Sequence, residues 1–113
     1  MDLEFGEFRL LRQQRQLAGP NGEIEIGGRS FEILAVLLDH ANSTVSKNDL
    51  LDEVWPGVAV EENTLQVHVV ALRKALGAGM IATIHGRGYK YVGPLPVEMR
   101  VSSEVLPVRK IDR

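Results

Sequence analysis

The residues best suited to bind a charged ligand lie within residues 63–97, a stretch that contains no Asp or Glu. Residues 1–62 contain five Lys or Arg against twelve Asp or Glu, whereas residues 63–97 contain four against none. The stretch has six basic side chains: His68, Arg73, Lys74, His85, Arg87 and Lys90. The net charge of −2 therefore conceals a segment suited to an anionic partner, although a chance fluctuation in a short chain is the alternative.

The first part of this stretch continues an amphipathic helix pattern that begins just before it, near Glu61. Its apolar stripe is formed by Leu65, Val69, Leu72 and Leu76. Gly77 follows and is suited to end the helix. Two short runs at residues 80–85 and 89–92 then predict a hairpin whose loop is residues 86–88.

The outer face of this helix offers groups that suit the major groove of B-DNA. Gln66 can pair with adenine through two hydrogen bonds, and Val67 and Val70 can contact thymine methyl groups. Further groups suited to phosphates or a base edge are Asn63, Thr64, Arg73 and Lys74. Taken alone, a helix of this kind is more often an ordinary surface helix.

The hairpin tip offers a second contact, because a cation on a thin hairpin can enter a narrow minor groove. Arg87 is that cation, and His85 would add charge there only when protonated. The alternative is that Arg87 is a solvated turn residue. His68 is more often a hydrogen-bonded structural histidine, and Trp55 is more often a packing residue.

The upstream residues predict a scaffold. Residues 5–10 and 23–26 alternate as strands on either side of a turn at residues 19–22, and the sheet exposes Glu4, Glu7, Glu23 and Glu25. A first helix is predicted over residues 30–41, with an apolar face of Phe31, Leu34, Ala35, Leu38 and Ala41. Ser46, with Asp49 three residues on, is typical of a helix start, and Pro56 stops that helix after about ten residues.

Length and composition predict one globular domain, because 113 residues contain 44% hydrophobic and 25% charged side chains. There is no Cys, no apolar run near the ~20 residues of a membrane span, and no signal peptide at the N-terminus. A cytoplasmic location without membrane contact is expected. His40, His68 and His85 lack metal-ligand spacing, and no nucleophile motif is present. We therefore expect no enzyme, metal, cofactor or small-molecule substrate.

Three segments together resemble the winged helix-turn-helix effector domain of OmpR/PhoB-type bacterial transcription regulators: VSKNDLLDEVWP, NTLQVHVVALRKALG and TIHGRGYKYVG. The resemblance covers about residues 3–95. It implies an α+β fold with a four-stranded N-terminal antiparallel sheet, three helices and a C-terminal β-hairpin wing. The domain is expected to cover residues 1–94, and residues 95–113 are expected to be a tail or linker.

The resemblance also implies sequence-specific binding of promoter or operator double-stranded DNA, with the third helix in the major groove and the wing in the minor groove. The implied phosphate contacts are Trp55, Asn63, Arg73, Thr83 and Tyr89. The implied base contacts are Gln66, Val67 and Val70, with His85 and Arg87 at the wing tip. A loop that touches RNA polymerase in some members matches Pro56, Gly57, Val58, Ala59 and Val60, and self-association on direct repeats is expected.

The sequence departs from the family pattern at several positions of the DNA-facing surface. Many members carry arginine where this chain has Asn63, Val70, Ala71 and His85. Weak affinity is therefore expected, with recognition that depends on apolar contacts and on Arg87. The alternative is a winged-helix module that binds another protein and has lost DNA binding.

The position of the domain relates it to two arrangements in the family. Response regulators of the phosphorelay type place a receiver domain before the winged helix, whereas the first strand here begins at Leu3. If Met1 is the native start, the arrangement is similar to CadC/ToxR-like regulators, in which a sensor or other domain follows. A fragment or a small stand-alone regulator is the alternative.

Overall fold

The computed structural model describes residues 2–98, which form eight strands and three helices. The strands are β1 (Leu3–Phe5), β2 (Phe8–Leu11), β3 (Gln16–Gly19), β4 (Gly22–Ile24), β5 (Thr44–Ser46), β6 (Ile81–Ile84), β7 (Gly88–Tyr91) and β8 (Val97–Glu98). The helices are α1 (Gly28–Asp39), α2 (Lys47–Val54) and α3 (Glu62–Leu76). The α+β winged-helix fold predicted from the sequence is therefore confirmed.

The N-terminal sheet is antiparallel in the order β4-β3-β2-β1-β8. Its alternating residues place Leu3, Phe5, Leu10 and Leu17 in the core, while Glu4, Glu7, Glu23 and Glu25 are exposed as predicted. The sheet has five strands where four were expected.

The fifth strand, β8, pairs with the start of the chain, with Leu3 opposite Glu98 and Glu4 opposite Val97. The predicted domain end at residue 94 therefore falls inside the described fold, which continues to Glu98. Strand β8 has only two residues, which are too few to show an alternating pattern, and its partner β1 lies near the other end of the chain. The sequence alone therefore did not predict this strand. The rest of the predicted tail, residues 99–113, lies outside the described residues.

Helix α1 is buried over a wider face than its sequence pattern predicted. It begins at Gly28 and ends at Asp39, two residues earlier at each end than predicted. Besides the predicted Phe31, Leu34 and Leu38, it buries Ile33, Leu37 and Ser30, whereas Ala35 and Ala41 are only partly buried. The reason is that α1 contacts α2, α3 and β7 at once, so that more than one side of the helix faces the core.

The local signals for α2 and α3 are confirmed. The Ser46 side chain accepts a hydrogen bond from the Asp49 backbone N–H at 3.0 Å, and α2 ends at Val54, before Pro56. All four residues of the predicted α3 stripe are buried, and the helix ends at Leu76, followed by Gly77 with a φ of 103°. None of these three helices, within residues 2–98, has the length and apolar character needed to cross a membrane.

The second sheet has the order β5-β7-β6 and forms the wing. Residues 44–46 were not expected to be a strand, and their pairing with β7 gives the wing a third member. Tyr91 of β7 joins the two sheets, because its fully buried ring meets the Phe5 ring edge-on at a centroid distance of 5.9 Å. The Tyr91 hydroxyl donates to the Pro94 carbonyl, and burial raises the pKa of Tyr91 to about 12.

Candidate nucleic-acid interface

The outer face of α3 is exposed and free of acids after its first turn. The exposed residues include Asn63, Gln66, Val67, Val70, Ala71 and Lys74, with Thr64 half-buried. Val67 and Val70 leave 59% and 49% of their surface accessible and lie three positions apart on this face. The face thus offers two valines, two amides and one cation.

Arg73 lies on the flank of α3 that faces the wing. Its Nε and Nη2 donate to the Ile81 carbonyl at 3.1 and 3.0 Å, and Nη2 also donates to Thr83 Oγ1 at 2.7 Å. Two residues predicted to contact phosphates, Arg73 and Thr83, therefore contact each other. The Nη1 group takes no part in the hydrogen bonds found among residues 2–98.

The opposite flank of α3 is held by His68, which the sequence indicated as a structural histidine. Its Nδ1 lies 2.9 Å from the hydroxyl of Ser30, a residue only 2% exposed, and its ring packs 5.7 Å from the Trp55 ring. The guanidinium of Arg29 covers the Trp55 ring at 5.6 Å. Trp55 itself is 9% exposed, so little of it can meet a phosphate, and its predicted contact stays a prediction.

The wing ends in a tight turn in which the Arg87 N–H donates to the Ile84 carbonyl at 2.9 Å. His85, Gly86 and Arg87 are exposed at its tip, and Gly86 has a φ of 73° that favours glycine. Gly88 was expected in the loop but is the first residue of β7 and is buried. Tyr89, a predicted phosphate contact, is 4% exposed, and its contact likewise stays a prediction.

The wing tip is fixed to the start of α2. The Arg87 carbonyl accepts from the Lys47 backbone N–H at 3.2 Å, and a Cβ on Gly88 would stand 2.0 Å from the Val45 carbonyl oxygen. Only glycine permits this approach of β7 to β5. These contacts hold the backbone of the wing turn, while His85 and Arg87 are exposed.

Lys47 is a candidate residue of this interface that was not predicted from the sequence. Its Nζ lies 3.1 Å from Glu62 Oε2 in the first turn of α3, and its backbone holds the wing turn. In the sequence it lies in the acid-rich half, 40 positions before Arg87. The Ser46 N-cap indicated where α2 begins, but nothing local indicated that β5 pairs with the wing.

The connection between α2 and α3 is exposed over most of its length. It opens with a turn in which the Val58 N–H donates to the Trp55 carbonyl at 3.1 Å, and Gly57 has a φ of 74°. Pro56 and Ala59 are exposed, Val58 leaves 61% of its surface accessible, and Val60 packs on the core.

Within residues 2–98, no group of three or more His, Cys, Asp or Glu side chains comes together in a way that could hold a metal ion.

Comparison with known families and proteins agrees with this architecture. The family model described as "Transcriptional regulatory protein, C terminal" matches residues 21–91. The response regulator protein PmrA of Pseudomonas aeruginosa is 34% identical over 96 residues, which cover 83% of this chain and 43% of PmrA. The chain thus spans less than half the length of that relative.

Solved structures share the fold closely. The DNA-binding domain of CpxR from E. coli has a TM-score of 0.74 at 25% identity, covering 83% of this chain and 98% of that domain. The DNA-binding domain of E. coli CadC has a TM-score of 0.75 at 24% identity, covering 84% and 94%. The likeness extends over nearly the whole length of these domains.

Proposed function

The chain belongs to the OmpR/PhoB-type family of transcriptional regulatory domains, and from this premise we propose that it binds double-stranded DNA sequence-specifically as part of a transcription regulator. The observation that carries the proposal is the acid-free surface formed by the outer face of α3 after Glu62 and by the tip of the wing. On this surface, the exposed face of one helix lies beside one projecting cationic turn. That combination suits a helix in the major groove with a hairpin in the adjacent minor groove.

Base recognition would come from the middle of α3. Gln66, Val67 and Val70 are all exposed and are not needed for the core. An amide there can pair with adenine, and the valines can pack on thymine methyl groups. We propose that this helix favours A·T-containing steps, because it carries no arginine on its exposed face to pair with guanine.

Phosphate contacts would come from the edges of this surface. Lys74 at the end of α3 and Asn63 at its start are exposed, and Thr64 is half-buried beside Asn63. Arg87 and His85 would stand at or in the minor groove. Few cations are available, so we propose an affinity that is modest and falls with salt less steeply than that of an arginine-rich helix.

Further partners belong to the same proposal. The exposed segment 56–60 would be a surface for RNA polymerase, and two copies would associate on direct repeats. The domain would cover residues 2–98 and act within a longer regulator, in line with the share of PmrA that it matches. We propose a binding module without catalytic activity.

Selection of bound duplexes from a random double-stranded library tests this function. We expect enrichment of one A·T-containing motif, repeated in direct orientation. An NMR titration of backbone amides with the enriched duplex should then shift residues 63–74 and 83–88, and the shifts should weaken as salt rises. Absence of any enriched motif at low salt would refute sequence-specific binding.

A protein-interaction module is the second candidate function. It is favoured by the exposed Val58 and by Val67 and Val70, which are neighbours at i and i+3 on α3, since contiguous exposed apolar patches mark protein contacts. This function predicts that binding to the partner is unchanged when Lys74 and Arg87 are both replaced by Gln. DNA binding, by contrast, should weaken, and its salt slope should fall by about one for each phosphate that the variant no longer neutralises.

A further inference from the structure

Arg73 connects the recognition helix to the outer strand of the wing. We propose that Arg73 is a positioning residue, which sets the angle between α3 and the wing so that both grooves can be contacted together. This inference rests on the proposed DNA binding. It differs from the expected role of Arg73 as a phosphate contact, because the contacts of its side chain are with the wing.

The geometry of the contact is that of a fork. Nε and Nη2 both donate to the Ile81 carbonyl at 3.1 and 3.0 Å, and Nη2 also donates to Thr83 Oγ1 at 2.7 Å. A guanidinium holds these donors in one plane, so that the contact fixes direction as well as distance. A lysine ammonium would keep the charge but could not make this paired contact.

The Ile81 carbonyl has no partner within its own sheet. The Met80 carbonyl accepts from the Val92 N–H on the β7 side at 2.9 Å, and successive carbonyls of a strand point in opposite directions. The Ile81 carbonyl therefore points to the outer edge of β6, which is the edge strand of the wing. At this edge the Arg73 guanidinium supplies the hydrogen-bond donors that the backbone of a further strand would otherwise supply.

The wing is held differently on its two sides. On the β7 side, the β5 ladder and the Lys47 N–H fix it to α2. On the β6 side, the guanidinium of Arg73 is the polar link between the wing and α3 among residues 2–98. Removal of this link leaves the hairpin paired and held on its β7 side, but without a polar link on its β6 side, so that its tilt against α3 would shift and move Arg87 relative to the major-groove contacts.

A double-mutant cycle separates positioning from direct phosphate contact. Wild type, Arg73→Lys, Arg87→Gln and the double variant are titrated with the duplex enriched by the wild-type chain, at fixed salt. If Arg73 acts through the wing, Arg73→Lys lowers affinity about tenfold alone but less than about twofold in the Arg87→Gln background. A direct contact would give the same factor in both backgrounds, and that additivity would overturn the proposal.

Two controls keep the result interpretable. Lys74→Gln, which alters the neighbouring exposed cation, should reduce affinity by the same factor with or without Arg87 and should lower the salt slope by about one. Thr83→Val removes one acceptor at an exposed position and should be non-additive with Arg87→Gln in the same sense as Arg73→Lys, even if the latter unfolds. Additivity of Thr83→Val with Arg87→Gln would count against the positioning role. Failure of the wild type to enrich any duplex would instead refute the proposed function itself.

Discussion

The five-stranded sheet and the wing pack against the same helical core, yet their surfaces carry opposite charge. The N-terminal sheet and its turns expose Glu4, Glu7, Glu23 and Glu25, whereas the strands of the wing contain no acid. Both sheets are antiparallel and both bury alternate residues. Architecture alone therefore does not distinguish the surface suited to DNA from the scaffold; the placement of carboxylates does.

The two sheets also differ in how their positions are fixed. The N-terminal sheet is joined strand to strand by short turns, and its order follows the chain except for β8. The wing depends on side-chain and backbone links to other elements, including Arg73 on one side and Lys47 on the other. The wing should therefore be more sensitive to single substitutions than the sheet.

The largest difference is expected at two glycines. A Cβ at Gly88 would stand 2.0 Å from the Val45 carbonyl oxygen, which belongs to paired backbone and cannot move away. Gly88→Ala should lower the free energy of unfolding by more than about 3 kcal/mol in urea denaturation. At Gly19 the obstacle is the end of the Ile24 side chain at 2.7 Å, so Gly19→Ala should cost less than about 1 kcal/mol. Equal decreases in the free energy of unfolding for the two variants would show that the wing is packed no more tightly than the N-terminal sheet.

The fold should lose stability at high pH through Tyr91, whose ring joins the two sheets. Burial raises the pKa of Tyr91 from 10.0 to about 12, so between these values the unfolded chain releases this proton and the folded chain keeps it. The contribution of Tyr91 to the free energy of unfolding is fully present below pH 10. It falls by about 2 to 3 kcal/mol in all as the pH rises towards 12. Urea denaturation across this range measures the decrease. Tyr91→Phe should remove this part of the pH dependence, and an unchanged profile would contradict the assignment.

Removal of one arginine charge should lower DNA affinity when it is made in the wing but not when it is made in the N-terminal sheet. Arg87→Gln at the wing tip should weaken binding to the selected duplex about tenfold and lower the salt slope by about one. Arg9→Gln, on the exposed face of the N-terminal sheet beside Glu4, should change affinity less than about twofold. Fluorescence anisotropy at several salt concentrations measures both. A comparable weakening for Arg9→Gln would place the sheet at the DNA.

The smallest effect is expected from the acids of the sheet. The double variant Glu23→Gln and Glu25→Gln removes two exposed carboxylates, and its unfolding free energy should change by less than about 0.5 kcal/mol. Its DNA affinity should rise slightly at low salt and hardly at physiological salt, where charges are screened beyond about 8 Å. A marked weakening of binding to direct repeats, with single-site binding intact, would mean that the acidic sheet contacts a second copy.

Much of the fold could be predicted because its signals are local. The stripe of α3, the Ser46 cap and the end at Gly77 each depend on residues within one or two helical turns. The exposed base-facing candidates followed from the same stripe, since they lie opposite it. Predictions were less accurate for α1, whose central position buries residues outside the expected face, and for β5 and β8, which are too short to show a period.

The sequence by itself determined the amphipathic helices, the turn positions and the segregation of acids from the segment 63–97. Tertiary structure decided what those residues contact. It brought Arg73 to Thr83, His68 to Ser30 and Lys47 to the wing turn. These contacts join different elements, and their geometry exists only after helices and sheets have packed. The physical reason is that hydrophobic periodicity specifies which face is buried, whereas the partner of a polar side chain depends on how the buried faces meet.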